Sequence, residues 1–298
     1  MKPFEPERLY VEKGSENYAL GRALLDKYVD KEVVWVSDHN KIPELRERPD
    51  SDFPRLKRYL VLGIRKSLAH QPNNKTSDFL VPYTSSGCSA MCLYCYLVCT
   101  YHKSAYLRVF VNREAMMEKL KRAAEKFPGS VFEIGSNSDL VLENSVSGNL
   151  EWTIEQFRDV HNARLTLPTK FDMVDPLLRI DHGNNVTIRM SLNPQEIIRR
   201  VEFGTSGLHG RIAALNKLYH AHYDVGILVA PIVLLEGYEA LYEGLFKTMA
   251  EELDPELLRG VPLEIIFMTY GMVTKDINEQ AFPNAVTLHD PEAMAFCG

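Results

Sequence analysis

Apolar residues along this chain fall into runs of two alternating kinds. Tyr18–Val29 (YALGRALLDKYV) spaces its apolar side chains three and four residues apart, which predicts a helix. Val33–Val36 and Tyr59–Ile64 (YLVLGI) are short apolar runs and predict strands. The polar, turn-rich stretch Ala69–Ser77 (AHQPNNKTS) then interrupts the pattern and marks a boundary. Beyond it, strands are predicted over Asp78–Tyr83, Val131–Gly135, Ala163–Leu167, Asn185–Leu192, Val225–Val233 and Leu263–Thr269. Helices are predicted between them, over Arg113–Lys126, Leu150–His161, Leu208–His222 and Tyr238–Leu253, with Pro128-Gly129 closing the first. Six strands interleaved with helices imply a parallel sheet with right-handed crossovers, and hence a partial or complete (β/α) barrel. Such folds put their chemistry at the C-terminal ends of the strands. Polar residues gather there: the tip Ser136-Asn137-Ser138-Asp139, and Thr169-Lys170. The chain shows no internal repeat.

Composition narrows the class. At 298 residues, 45% apolar and 25% charged, this is an ordinary globular α/β chain able to bury a large core. A formal net charge of −6 does not suit broad non-specific nucleic-acid binding, although a local basic patch would still be compatible with it. The charged, proline-containing start Met1–Tyr10 has no apolar signal segment. The longest apolar run, Val225–Leu235, is broken by Gly226 and Pro231 and is too short to span a bilayer. Clustered cysteines without a signal point to a reducing cytoplasm. There is no G-x-S-x-G, P-loop or G-x-G-x-x-G, so acyl-transfer and nucleotide-hydrolysis readings have no footing.

The chemistry concentrates in Gly87-Cys88-Ser89-Ala90-Met91-Cys92-Leu93-Tyr94-Cys95-Tyr96. Three cysteines stand at C-x3-C-x2-C spacing with an aromatic before the third, a donor set that suits a soft metal centre. Four-iron clusters usually take four thiolates, so three would leave one iron open to substrate. Cys99, with His102 nearby, offers a fourth ligand for a closed zinc site or a closed electron-transfer cluster. Unrelated buried thiols are a further alternative. Four of the five cysteines falling within twelve residues argues against chance.

The run Cys88–Leu97 resembles the cluster-binding signature of radical S-adenosylmethionine (SAM) enzymes, and within them the spore photoproduct lyase family. The likeness extends through Val11–Leu24, Leu62–Lys66, Tyr106–Asn112, Phe132-Glu133, Ser138-Asp139, Thr169–Phe171, Phe203–Ser206, Val229–Ile232 and Glu236-Gly237, covering roughly residues 8–288. The resemblance implies a partial (β/α)6 barrel over 78–298 with an N-terminal α/β extension over 1–77. It implies a [4Fe-4S] cluster on Cys88, Cys92 and Cys95, and SAM held by Tyr94, Ser138, Lys170, Ser191 and the backbone at Ala230. Tyr96 would serve in hydrogen-atom relay. Lysine suits a carboxylate as a point charge, and hydroxyls suit ribose or amino acid groups.

Two departures modify what the resemblance implies. Where the lyase keeps a hydrogen-donating cysteine, this chain has Ser136, and an oxygen-centred radical is far less stable than a thiyl radical. The tail His289–Gly298 (HDPEAMAFCG) has no Lys or Arg, where the lyase carries a basic hairpin that wedges into DNA. Cys99 or Cys297 could stand in as donor, but neither sits at the family's position. The expectation is a paralogue that turns the 5′-deoxyadenosyl radical on a nucleotide- or nucleoside-type substrate, supplied with electrons by a partner such as flavodoxin or ferredoxin. The rival expectations are repair of thymine dimers in DNA, and a non-catalytic module that keeps its cluster for stability or redox sensing.

Overall fold

The computed structural model describes residues 3–267 and 271–288. Its strands lie in two main sheets. The second carries Phe79–Leu80, Val131–Glu133, Arg164–Thr169, Val186–Ser191, Asp224–Ile232 and Leu263–Phe267 side by side in chain order, all parallel. It is a curled half-barrel, with the short strand Gln71–Pro72 antiparallel on its edge. The six expected strands are therefore present, mostly shortened by a residue or more at one or both ends. The expected end of the last, Thr269, lies outside the described residues.

Parallel strands covered on both faces read as near-continuous apolar runs, and these do. Leu165, Leu167, Ile188, Met190, Ile227 and Val229 are all buried to within 1% of complete. Each contributes on the order of 1.5–3 kcal/mol on burial. Helix Arg113–Lys126 forms over the expected residues, and Leu208–His220 and Tyr238–Glu252 end one or two residues early. The predicted helix Leu150–His161 is Asn149–Phe157, and a second helix, Leu140–Ser147, precedes it. Asp139 starts that second helix by accepting from the Val141 and Leu142 amides. Gly148 ends it at φ +66°.

The first sheet is ordered Glu32–Val36, Arg8–Glu12, Tyr59–Gly63, Leu107–Phe110, with Ser85–Ser86 antiparallel at its edge. It does not close at residue 77. Its inner members come from either side of the cysteine run, so that run is slung between the two sheets. A two-residue ribbon, Met91–Cys92 against Glu202–Phe203, fastens it to the half-barrel.

Candidate active site

The cysteine run is shaped by backbone contacts. Gly87 has φ +73°, and a Cβ placed there would stand 2.0 Å from the Tyr106 carbonyl oxygen, so only glycine fits. Its amide donates to Asn137 O at 2.8 Å, and it bridges to Ser138. The Cys88 amide donates to Ala105 O. Beneath the run lies Lys57, almost fully buried, whose ammonium donates to Cys88 O at 2.9 Å and Ala105 O at 2.7 Å. Burial pulls the Lys57 pKa down, while the thiols of Cys95, Cys88 and Cys92 oppose that. Burial pushes the Cys88 thiol up to about 12 and Cys92 well above its usual range. The thiolate form in this pocket therefore calls for a bound cation.

Helix Tyr96–Tyr101 starts directly after Cys95. All four described cysteines are free, and Cys99 makes a hydrogen bond with Thr274 Oγ1 on helix Met272–Ala281 at 3.2 Å. Among the described residues, the one trio of Cys, His, Asp or Glu with ligand atoms all within 4.8 Å of one another is Glu12, Asp38 and His39. The thiols of Cys88, Cys92 and Cys95 are spread wider than the ~3.8 Å between sulfurs on a tetrahedral zinc. Their spread and softness fit a cluster larger than a single ion.

Facing the cysteines, the strand ends assemble a second group. Lys170 Nζ donates to Ser191 Oγ at 2.5 Å and to Ala230 O at 2.9 Å, and lies 5.5 Å from the centre of the Tyr94 ring. It also lies 3.4 Å from Glu202 Oε1. The Tyr94 hydroxyl donates to that same carboxylate, as does Asn193 Nδ2 at 2.8 Å. Behind it, Arg211 is wholly buried and spreads its guanidinium over Glu202 Oε2, Thr205 Oγ1, Ser191 O and Ser206 O. Burial alone would push the Glu202 carboxyl up, but Arg211 first and Lys170 next bring it down to about 2. Glu202 is therefore an anion at neutral pH, and it fixes the ammonium of Lys170 in place. The Ser138 hydroxyl is buried without any hydrogen-bond partner, a polar atom with room for a ligand's oxygen or nitrogen.

On the open side, the Tyr96 hydroxyl donates to the backbone oxygen of Ser136. The Tyr96 side chain is 62% exposed, so its ring borders open space and not the core. The fold thus brings together Tyr94, Lys170, Ser191 and Ala230 as one bonded set, joins Tyr96 to Ser136, and sets Ser138 beside Gly87. Cys297 and the tail from His289 lie outside the described residues. Glu202, Arg211, Asn193 and Lys57 were not singled out from sequence. Only the run Phe203–Ser206 pointed to their neighbourhood, because single charged residues inside apolar segments carry no local signal.

Comparison with known proteins gives consistent likenesses. A family model described as spore photoproduct lyase matches residues 4–293. The spore photoproduct lyase of Bacillus subtilis (strain 168) is 30% identical over 301 residues, spanning 99% of this chain and 87% of that protein. The one from Clostridium acetobutylicum is 30% identical over 293 residues, spanning 97% and 86%. A solved spore photoproduct lyase mutant with bound AdoMet and dinucleoside spore photoproduct superposes with a TM-score of 0.91 at 29% identity, covering 97% of this chain and 86% of that one. Another, complexed with dinucleoside spore photoproduct, gives 0.90 at 30% identity, covering 96% and 85%.

Proposed function

Since the chain belongs to the spore photoproduct lyase family, whose members are radical SAM enzymes, we propose that it abstracts a hydrogen atom from a nucleotide- or nucleoside-type substrate. The observation that carries this reading is two half-sites held against each other by the ribbon of Met91–Cys92 with Glu202–Phe203, the Lys170 ammonium lying 5.5 Å from the centre of the Tyr94 ring. Three thiols lie on one side, and the Lys170–Ser191–Ala230 set lies on the other with the unpartnered Ser138 hydroxyl nearby. Cys88, Cys92 and Cys95 would hold a [4Fe-4S] cluster. Lys170 would meet the SAM carboxylate, with Ser138, Ser191, Ala230 O and the Tyr94 ring around the rest of the cofactor. Together the bound cluster and SAM supply reductive cleavage to a 5′-deoxyadenosyl radical.

The chain's own part is positioning. Glu202 keeps the Lys170 side chain aimed, which matters because an ammonium on four methylenes is otherwise mobile. Lys57 holds the carbonyls of Cys88 and Ala105 and so sets the shape of the thiol run. Tyr96 and Ser136 border the open side, where substrate would enter. Because a serine stands where the lyase has its hydrogen-donating cysteine, return of hydrogen from residue 136 is not available. Tyr96, joined to the same segment, is the nearest relay group. A second reading, repair of a thymine dimer in DNA, is favoured by the likeness to structures solved with dinucleoside spore photoproduct.

The test is anaerobic incubation of reconstituted protein with SAM and dithionite, or with flavodoxin or ferredoxin as the cytoplasmic reductant. 5′-Deoxyadenosine above a Cys95→Ala control supports the radical reading. Stoichiometric 5′-deoxyadenosine with thymidine nucleotides, together with little conversion of spore photoproduct, supports the nucleotide substrate. Conversion of spore photoproduct to two thymines with catalytic SAM would favour repair instead.

A further inference from the structure

Outside the cleft, one buried charge has no counterpart. Arg108, on strand Leu107–Phe110, is only 5% exposed, yet no carboxylate, carbonyl or hydroxyl hydrogen-bonds its guanidinium among the described residues. Two rings lie against it, 4.6 Å to the centre of Tyr106 and 5.5 Å to that of Tyr101, and the neighbouring charged groups are cationic or basic, Lys57 and His39 among them. A second guanidinium, Arg65, lies close enough to repel it. Arg65 stacks on Phe110 at 3.9 Å and donates to Ser85 O at 3.3 Å while its Nε is unpartnered; burial lowers its pKa to about 10, with Tyr101 opposing and Arg108 adding to the fall. A buried guanidinium with no anion, next to a half-buried one, is costly unless something else compensates it.

The place for that ligand is at hand. Arg108 lines a cavity of about 570 Å³ whose wall also includes Asn40, Arg46, Tyr101, His102 and Lys103. Two carboxylates, Asp50 and Asp276, share the wall, but Asp50 is taken by Lys103 at 3.4 Å, and neither lies within 4.0 Å of Arg108. Tyr101 and His102, at the end of helix Tyr96–Tyr101, form part of its wall.

We propose that the Arg108 cavity is a binding site for a phosphate group, carried either by a free nucleotide as a monoester or by a nucleic-acid strand as a diester. A guanidinium with its fork free presents parallel N–H donors that match two phosphate oxygens. Arg46 at the wall adds charge, and Tyr101 offers a ring face beside Arg108. The site is separate from the thiols and from Lys170, and binding there needs no turnover.

Isothermal titration of the full chain with dTMP, the dinucleotide TpT, inorganic phosphate and thymidine tests this directly. The wild type is expected to bind at least one of the phosphate-bearing probes, and Arg108→Met to weaken that binding at least tenfold while leaving any thymidine binding unchanged. Preference for dTMP or inorganic phosphate would identify a free phosphate ligand, and preference for TpT a strand. Without ligand, Arg108→Met is expected to melt at or above the wild-type temperature, because it removes an unpaired buried charge. Added phosphate should raise the melting temperature of the wild type alone. If Arg108→Met does not fold, Arg46→Glu at the wall should cost a similar factor. Wild-type protein that binds no phosphate probe, or binding unchanged in whichever variant folds, overturns the proposal irrespective of whether SAM is cleaved.

Discussion

Replacing Glu202 with glutamine tests the electrostatic core of the cleft. The substitution keeps the shape and much of the hydrogen bonding but removes the charge between Arg211 and Lys170. Arg211 is then a buried guanidinium without its counter-ion, a loss of about 3–5 kcal/mol by analogy with broken buried pairs. The titration gives an independent figure. The Glu202 carboxyl falls from 4.5 to about 2 on folding, which corresponds to ~3 kcal/mol at neutral pH. The sign follows from the depressed value: the contribution is complete above pH 4.5 and is lost as pH falls through the folded value near 2. A protonated glutamate and a glutamine amide are nearly the same group, so the gap between wild type and Glu202→Gln should narrow with acid. By pH 3.5 it should have shrunk by roughly two fifths. Equilibrium urea unfolding of both proteins between pH 7 and pH 3.5 measures this. A gap below about 1 kcal/mol at pH 7, or one that does not change with pH, would refute the account of Glu202 as a buried anion.

Other expectations follow from the same geometry. Lys170→Met should weaken SAM binding by tenfold or more in equilibrium dialysis while leaving iron content unchanged; unaltered affinity would remove Lys170 from the cofactor site. Cys95→Ala should lose both cluster iron and 5′-deoxyadenosine, whereas Cys99→Ser, whose sulfur is engaged by Thr274, should retain both. Full loss of iron in Cys99→Ser would instead indicate a closed four-thiolate site. Ser136→Cys should raise conversion of spore photoproduct with SAM regenerated, and no gain at all would count against residue 136 facing the substrate. Gly87→Ala drives a methyl into the Tyr106 carbonyl at 2.0 Å and strains a positive φ, so it should destabilise the fold by about 2 kcal/mol or more in the same urea assay and reduce cluster uptake.

How much of this was legible beforehand depended on how local the signal was. The six barrel strands showed because each is a continuous apolar run long enough to stand out between helices. Arg8–Glu12 and Leu107–Phe110 were not predicted as strands, because each carries charged residues that blur the period. Their place is set by pairing with Tyr59–Gly63, which no window along the chain can show. Leu140–Ser147 was hidden because its start doubles as the polar strand tip, and its cap, Asp139, also serves Thr169 and the Lys170 amide. The three cysteines were legible from spacing alone. Lys170, at a polar strand end, and Ser191 and Ala230 were expected beside the cofactor only through resemblance; the structure joins the three to one another by hydrogen bonds. Glu202 and Arg211 stayed hidden because a buried ion pair looks, in sequence, like any solvated glutamate and arginine.

The strand Leu107–Phe110 leaves the cysteine run and enters the N-terminal sheet, while Lys57, just before strand Tyr59–Gly63 of that sheet, reaches to the carbonyls of Cys88 and Ala105. The first seventy-odd residues are thus scaffolding for the thiols and not an ornament on the barrel. An excised half-barrel would keep the Glu202–Phe203 ribbon and the Gly87 contact to Asn137 but lose Lys57 and the strand Tyr59–Gly63 that Leu107–Phe110 pairs with, so the run would be held from one side only. Anyone wanting a smaller version of this catalyst would have to trim it elsewhere.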